Sequence, residues 1–224
     1  MKYPDFICLG TQKSGTSSLY SMLCNHPQIV PNCYKKEVKF WNYSYDKGID
    51  WYKSCFPNIQ EKITGDVTSN YFWYVNPETM YKDLPSSVKI IVIFRNPIDR
   101  MYSFYNWLKK HPCEFHPIEN KSFEESIPCF LEESNYRQYL EKWINIFGKN
   151  RILPIIFEEF ISKQEEWNKI CDYLDVQRNK KENVHVLEQI YEPMNKATRI
   201  KLECYFKQKN KLFFDYIERG NVWI

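Results

Sequence analysis

The sequence predicts an α/β fold: a doubly wound parallel sheet flanked by helices, forming one domain over residues 1–224. Three observations predict it. Apolar runs of strand length, Phe6–Leu9, Ile90–Ile93 and Arg151–Phe157, alternate with stretches whose apolar residues recur every three or four positions. The first run enters its helix through a glycine-bracketed turn, Gly10 to Gly15, which makes the opening P-loop-like. The 224 residues suit one core of α/β size, and no repeat, linker or low-complexity tract divides them.

Phe6–Leu9 reads as a short buried strand, and Thr16–Asn25 as a helix stopped at His26-Pro27, with Leu19, Met22 and Leu23 on one face. A glycine-bounded turn at a helix start is an anion site, because its N–H groups converge and the helix dipole favours negative charge. Lys13 adds a full positive charge there. The loop departs from the Walker pattern G-x-x-x-x-G-K-[ST]: Thr16 stands where that lysine belongs, and the lysine lies inside the loop. A glycine-rich turn that merely contains a lysine is the plainer reading of the loop by itself.

Gln28–Asn32 reads as an extended link. Lys35–Trp41, with charged and apolar residues alternating, predicts a brief strand with one wet face, on which Glu37 would be a solvated carboxylate among lysines. Gly48–Phe56 predicts a short helix ended by Pro57. Lys62–Tyr74 reads as a strand leaving into an aromatic loop, and Asn76-Pro77 opens a helix to about Leu84.

The run Ile90–Ile93 is β-branched and bounded by polar residues, the pattern of a parallel strand buried on both faces. Pro97 suits the first position of the helix that follows, to Lys110. Arg95 therefore falls at the C-terminal edge of the sheet, where ligands of open α/β folds gather, with Ser103 about two turns into the helix. An acidic Mg²⁺ residue is usual after such a strand in a nucleoside triphosphatase. An arginine there suits a second anion instead, although one ion-paired at a helix start would look the same.

A polar loop runs from His111 to Asn120. Phe123–Phe147 predicts helix broken at Pro128, with Tyr136, Leu140, Trp143 and Phe147 as a core stripe. Glu158–Leu174 predicts one helix with Phe160, Ile161, Trp167, Ile170 and Leu174 inward. Val176–Met194 reads as irregular, and Lys196–Phe206 as a basic amphipathic helix.

Composition narrows the function classes. A net charge of +3 is too small to argue for a nucleic-acid partner. No apolar run of about 18 residues exists to span a membrane. The first strand begins at Phe6 with no signal peptide ahead of it, so a cytoplasmic protein is expected, with a Golgi-lumenal catalytic domain as the alternative. The eight cysteines are scattered without C-x-x-C or zinc spacing, so reduced thiols are expected.

Two motifs carry a family resemblance. Gly10-Thr-Gln-Lys13-Ser-Gly15-Thr16-Ser-Ser-Leu19 resembles the 5′-phosphosulfate loop of the sulfotransferases that use PAPS (3′-phosphoadenosine 5′-phosphosulfate). Arg95-Asn-Pro97-Ile-Asp-Arg100-Met-Tyr-Ser103-Phe-Tyr105 resembles their 3′-phosphate motif, R-x-P-x-x-R-x-x-S-x-Y. Lys47–Pro57, Tyr139–Phe147 and the ending from Thr198 to Trp223 are similar to the carbohydrate branch, near the heparan sulfate N- and 3-O-sulfotransferases. The resemblance implies that Lys13, Ser14, Gly15, Thr16 and Ser17 cradle the phosphosulfate, that Arg95 and Ser103 clamp the 3′-phosphate, and that no metal takes part. It implies Lys13 at the bridging oxygen and Glu37 as the base. PAPS, its product PAP, and a carbohydrate or other small hydroxylated or amine acceptor are the implied partners.

Several positions depart from the heparan enzymes. Ser17 and Val67 stand where the 3-O-sulfotransferases carry an arginine and a lysine facing sulfated sugar, and Lys39 where they carry a histidine. The loop before the last helix is shortened, to Met194–Arg199. These changes point to a neutral or weakly charged glycan, a glycolipid or a small hydroxylated molecule. The competing readings are a nucleotide kinase or triphosphatase with a variant loop, and a non-catalytic nucleotide- or glycan-binding module.

Overall fold

The computed structural model describes residues 1–181 and 191–223. Its sheet has five strands, β1 (Phe6–Cys8), β2 (Ile29–Val30), β3 (Ile63–Val67), β4 (Lys89–Phe94) and β5 (Ile152–Ile156), in the order β2-β3-β1-β4-β5. Every pairing is parallel. After β1 the chain winds outward to β2 and β3, then crosses back to β4 on the other side. The crevice beyond the carboxyl ends of β1 and β4 is therefore the switch point at which doubly wound sheets hold ligands.

The helices are α1 (Thr16–Cys24), α2 (Phe40–Tyr43), α3 (Gly48–Ser54), α4 (Tyr71–Tyr74), α5 (Pro77–Asp83), α6 (Pro97–Leu108), α7 (Phe123–Ser126), α8 (Tyr136–Phe147), α9 (Phe157–Ser162), α10 (Gln164–Leu174) and α11 (Lys196–Tyr216). Alternation along the strands feeds two cores. Ile7, Leu9, Ile90, Val92 and Phe94 pack with α3, α5, α8 and the end of α11. Phe6, Cys8, Ile91 and Ile93 pack on the opposite face with α1 and α10. A third cluster joins α6 to the start of α11 through Ile98, Met101, Phe104, Leu202 and Phe206.

The predicted strand–loop–helix, the β4–α6 unit and the core stripe of α8 stand as expected. Other elements differ. Lys35–Lys39 is irregular chain rather than a strand and turns into α2 at Phe40. The expected link at Gln28–Asn32 contains the edge strand β2, and the expected aromatic loop holds α4. The single helix expected over Glu158–Leu174 is two, α9 and α10, parted at the extended residue Lys163. The Ser162 hydroxyl donates to the carbonyls of Glu158 and Glu159, a local alternative to continuing the helix. Ile161 is accordingly outward, not inward. The last helix continues past Phe206 to Tyr216. The irregular stretch expected over Val176–Met194 lies in part outside the described residues.

Candidate active site

The turn after β1 is stitched to β4. Thr11 N–H donates to the Ile93 carbonyl (2.8 Å), and Ile93 N–H to the Gly10 carbonyl (2.7 Å). Both glycines are required. Gly10 (φ 123°) and Gly15 (φ 92°) occupy left-handed backbone, and a Cβ would lie 2.2 Å from the Ser69 carbonyl oxygen at Gly10 and 2.4 Å from the Phe157 ring at Gly15. Lys13 is also left-handed, at φ 66°, a conformation that costs a non-glycine residue on the order of 1 kcal/mol or more and concentrates at ligand-holding turns. No side chain caps the start of α1, so its first N–H groups and its dipole serve whatever anion sits there. Ser14 does not face this mouth with its side chain. Its hydroxyl is buried 2.6 Å from that of Thr11, bracing the loop from behind.

Three cations converge on the turn. Arg95 leaves β4 with its guanidinium against the Phe157 ring and one N–H on the Lys13 carbonyl (3.3 Å). Lys13 is pushed down to about 8, first by burial and then by the positive charges of Arg95 and Lys36. Lys36, which sequence reasoning assigned no role, donates to the hydroxyls of Thr16 (3.1 Å) and Ser17 (2.9 Å). Burial likewise holds Lys36 below the ordinary lysine range, with the Glu37 carboxylate opposing the shift. The signal available in the sequence was its place beside Glu37, but a run of lysines around a carboxylate usually means a wet surface.

Glu37 stands next to this cluster, its carboxylate 3.7 Å from the Lys36 ammonium and 3.3 Å from that of Lys39. The chain that carries it has no strand ladder. Asn32 Oδ1 accepts from the N–H groups of Tyr34 and Lys35 at one end. At the other, the N–H groups of Val38, Lys39 and Phe40 donate to Asp66 (3.4 Å), the Thr68 hydroxyl (3.3 Å) and the Tyr71 hydroxyl (2.7 Å). Asp66, fully buried, also accepts from Thr68 (2.7 Å), Tyr71 (3.0 Å) and Tyr52 (3.3 Å). Asp66 is thus a hub that fixes the Glu37 segment to the end of β3.

Burial pushes Asp66 up to about 6 against those hydrogen bonds. The value lies above the ordinary aspartate pKa, so this group's contribution to stability is fully present below that ordinary value and is lost as pH rises through about 6. Asp66→Ala strands three buried hydroxyls and is expected to cost about 3 kcal/mol, read as a lower urea midpoint. A wild-type midpoint would remove Asp66 from this role.

Ser103 is buried on α6, six residues past Pro97, or about 9 Å along the helix. Arg100 faces inward instead, bonding Ser134 (2.9 Å) and lying against Trp73. His111 is exposed beyond α6 and stacked on Trp107, whose ring lies 6.0 Å from the Lys13 ammonium. Among the described residues, no group of three or more His, Cys, Asp or Glu side chains is arranged to hold a metal ion.

A family model described as "Sulfotransferase domain" matches residues 3–221. The chain belongs to the sulfotransferase family. It is 33% identical over 179 residues to the mouse bifunctional heparan sulfate N-deacetylase/N-sulfotransferase 1, a match that covers 69% of this chain and 20% of that protein. The human heparan sulfate glucosamine 3-O-sulfotransferase 3B1 is 28% identical, over 78% of this chain and 47% of its own length. This sulfotransferase chain thus spans about a fifth of the N-deacetylase/N-sulfotransferases it matches. Its fold is shared with a sulfotransferase from Alicyclobacillus acidocaldarius (TM-score 0.76, 24% identity, 98% of both chains). A mouse sulfotransferase solved with PAP superposes less closely (TM-score 0.54, 17% identity, 80% of this chain and 60% of that one).

Proposed function

We propose that this domain transfers a sulfuryl group from PAPS to a hydroxyl or amine of a carbohydrate or other small acceptor. One observation carries the reading: Lys13, Lys36 and Arg95 gather at an uncapped helix start, with the Glu37 carboxylate 3.7 Å from Lys36. The donor set suits the ligand. Cations and backbone N–H groups are what a phosphosulfate needs, and the guanidinium after β4 suits a second phosphate. Tyr34, Tyr43 and Tyr45 stand exposed on the chain around Glu37, flat amphipathic surfaces of the kind that take a sugar face.

On this reading PAPS supplies the sulfuryl group, and the chain supplies position and charge. Gly15, Thr16 and Ser17 hold the 5′-phosphosulfate, while Arg95 and Ser103 hold the 3′-phosphate. Glu37 accepts the acceptor's proton as the new O–S (or N–S) bond forms. Lys13 stabilises the bridging oxygen, which keeps the electron pair of the broken S–O bond and departs with PAP. The departures at Ser17, Val67 and Lys39 favour a weakly charged glycan over a heavily sulfated one.

Calorimetry without metal should give tight PAP binding that requires the 3′-phosphate, and ³⁵S-labelled PAPS with a mixed glycan and metabolite library should give a labelled product. Arg95→Ala removes a charge-assisted contact of about 1.5–3 kcal/mol, lowering PAP affinity on the order of tenfold or more. Equal affinity for AMP and PAP would overturn the 3′-phosphate assignment. PAP binding without transfer to any acceptor would make this a binding module.

A further inference from the structure

Lys36 does more than balance the charge of Glu37. We propose that it is a further catalytic residue, whose ammonium grips the peripheral oxygens of the sulfuryl group in transit. The inference rests on the PAPS reading above. Its basis is where the ammonium lies. Nζ is 2.9 Å and 3.1 Å from the Ser17 and Thr16 hydroxyls at the start of α1, and 3.7 Å from Glu37 Oε1. In-line transfer puts the base, the acceptor atom, sulfur, the bridging oxygen and phosphate in one row, with the reacting atoms about 3–3.5 Å apart and the base within about 3 Å of its proton. The helix start marks the phosphate end of that row and Glu37 the acceptor end. A cation that touches the first and reaches toward the second lies alongside the middle, where sulfur sits.

The donor count agrees. An ammonium has three N–H groups. Two are committed to Thr16 and Ser17, and one remains, with Glu37 Oε1 at 3.7 Å, too far for a hydrogen bond. The hydroxyls that accept from Lys36 keep their own protons to donate to an anion. The neighbouring lysines are placed otherwise: Lys35 lies over the Tyr34 ring, and Lys39 lies over the Tyr43 ring and 3.3 Å from the other oxygen of Glu37, with no bond to the helix start.

The chemistry needs such a group. As Glu37 takes the acceptor proton, negative charge builds on the attacking atom and meets the negative oxygens of the sulfuryl group. The O–S (or N–S) bond forms while the S–O bond to the 5′-phosphate breaks, and the electron pair leaves with PAP. A cation beside sulfur offsets the repulsion between the two partners and holds the group in line.

PAPS and PAP differ by the sulfuryl group alone, so comparing them isolates Lys36. Calorimetry without acceptor should show Lys36→Met weakening PAPS by about tenfold or more while PAP stays within about twofold of wild type. The kcat for ³⁵S transfer should fall on the order of 10²-fold. Lys36→Arg should recover part of both losses, and Lys35→Met should change neither. Equal loss for PAPS and PAP in a folded Lys36→Met and Lys36→Gln protein would assign Lys36 to the phosphate cradle and overturn the proposal. So would unchanged PAPS affinity. Failure of the underlying reading would look different: wild type itself would bind neither nucleotide, and the proposal would fall with it.

Discussion

Glu37→Gln is expected to lower kcat by about 10²–10⁴-fold while leaving PAP affinity near wild type. The amide preserves the shape of the side chain and removes its ability to take a proton. A hydroxyl acceptor is a weak nucleophile until that proton begins to leave, so the loss should fall on the chemical step. The structure makes the substitution a clean one. Glu37 contributes no bond to the hub that holds its segment; that work belongs to the N–H groups of residues 38–40. Single-turnover ³⁵S transfer with PAP binding measured alongside would decide it. A Glu37→Gln protein that keeps most of its turnover would remove Glu37 as the base. Asp66 and His111 are poor substitutes, the first sealed among hydroxyl donors and the second stacked outward on Trp107.

Lys13→Ala should cost on the order of 10²–10³ in kcat and much less in PAP affinity, because the charge it meets grows as the S–O bond breaks. A raised KM for PAPS with kcat unchanged would reduce Lys13 to a binding residue. Its pKa adds a second readout. In the free protein Lys13 is depressed to about 8 by burial and by Arg95 and Lys36. As pH rises through that value the ammonium loses its proton, so kcat/KM for PAPS should decline on the alkaline side, and Lys13→Ala should lack that limb. A wild-type profile flat from pH 7 to roughly 9.5 would contradict the assignment.

The parts of the site that lie on regular elements were legible in the sequence. The apolar run into Gly10, the helix face of Leu19, Met22 and Leu23, and the β-branched strand before Arg95 each follow from local pattern and glycine chemistry. The Glu37 segment was not. Its alternation of charge and apolar residues mimics a strand, whereas its conformation is fixed by Asn32, Asp66, Thr68 and Tyr71, partners that are mostly distant in sequence and leave no period. Lys36 was overlooked for the same reason, since only the folded chain brings it to Thr16 and Ser17. The break at Lys163 has no glycine or proline to announce it; a serine hydroxyl turned back on its own helix does the work.

Phe157 touches both halves of the site. Its ring fills the space a Gly15 side chain would need, and the Arg95 guanidinium lies 5.2 Å from its centre, while Arg95 also holds the Lys13 carbonyl. The jaw formed by the turn and the jaw formed by β4 are therefore spaced by one rigid aromatic shim. Such an arrangement works as a caliper. On the PAPS reading it would gauge the span between the two charged ends of the nucleotide, and one with an end missing, or with its two ends at another separation, would meet only one jaw.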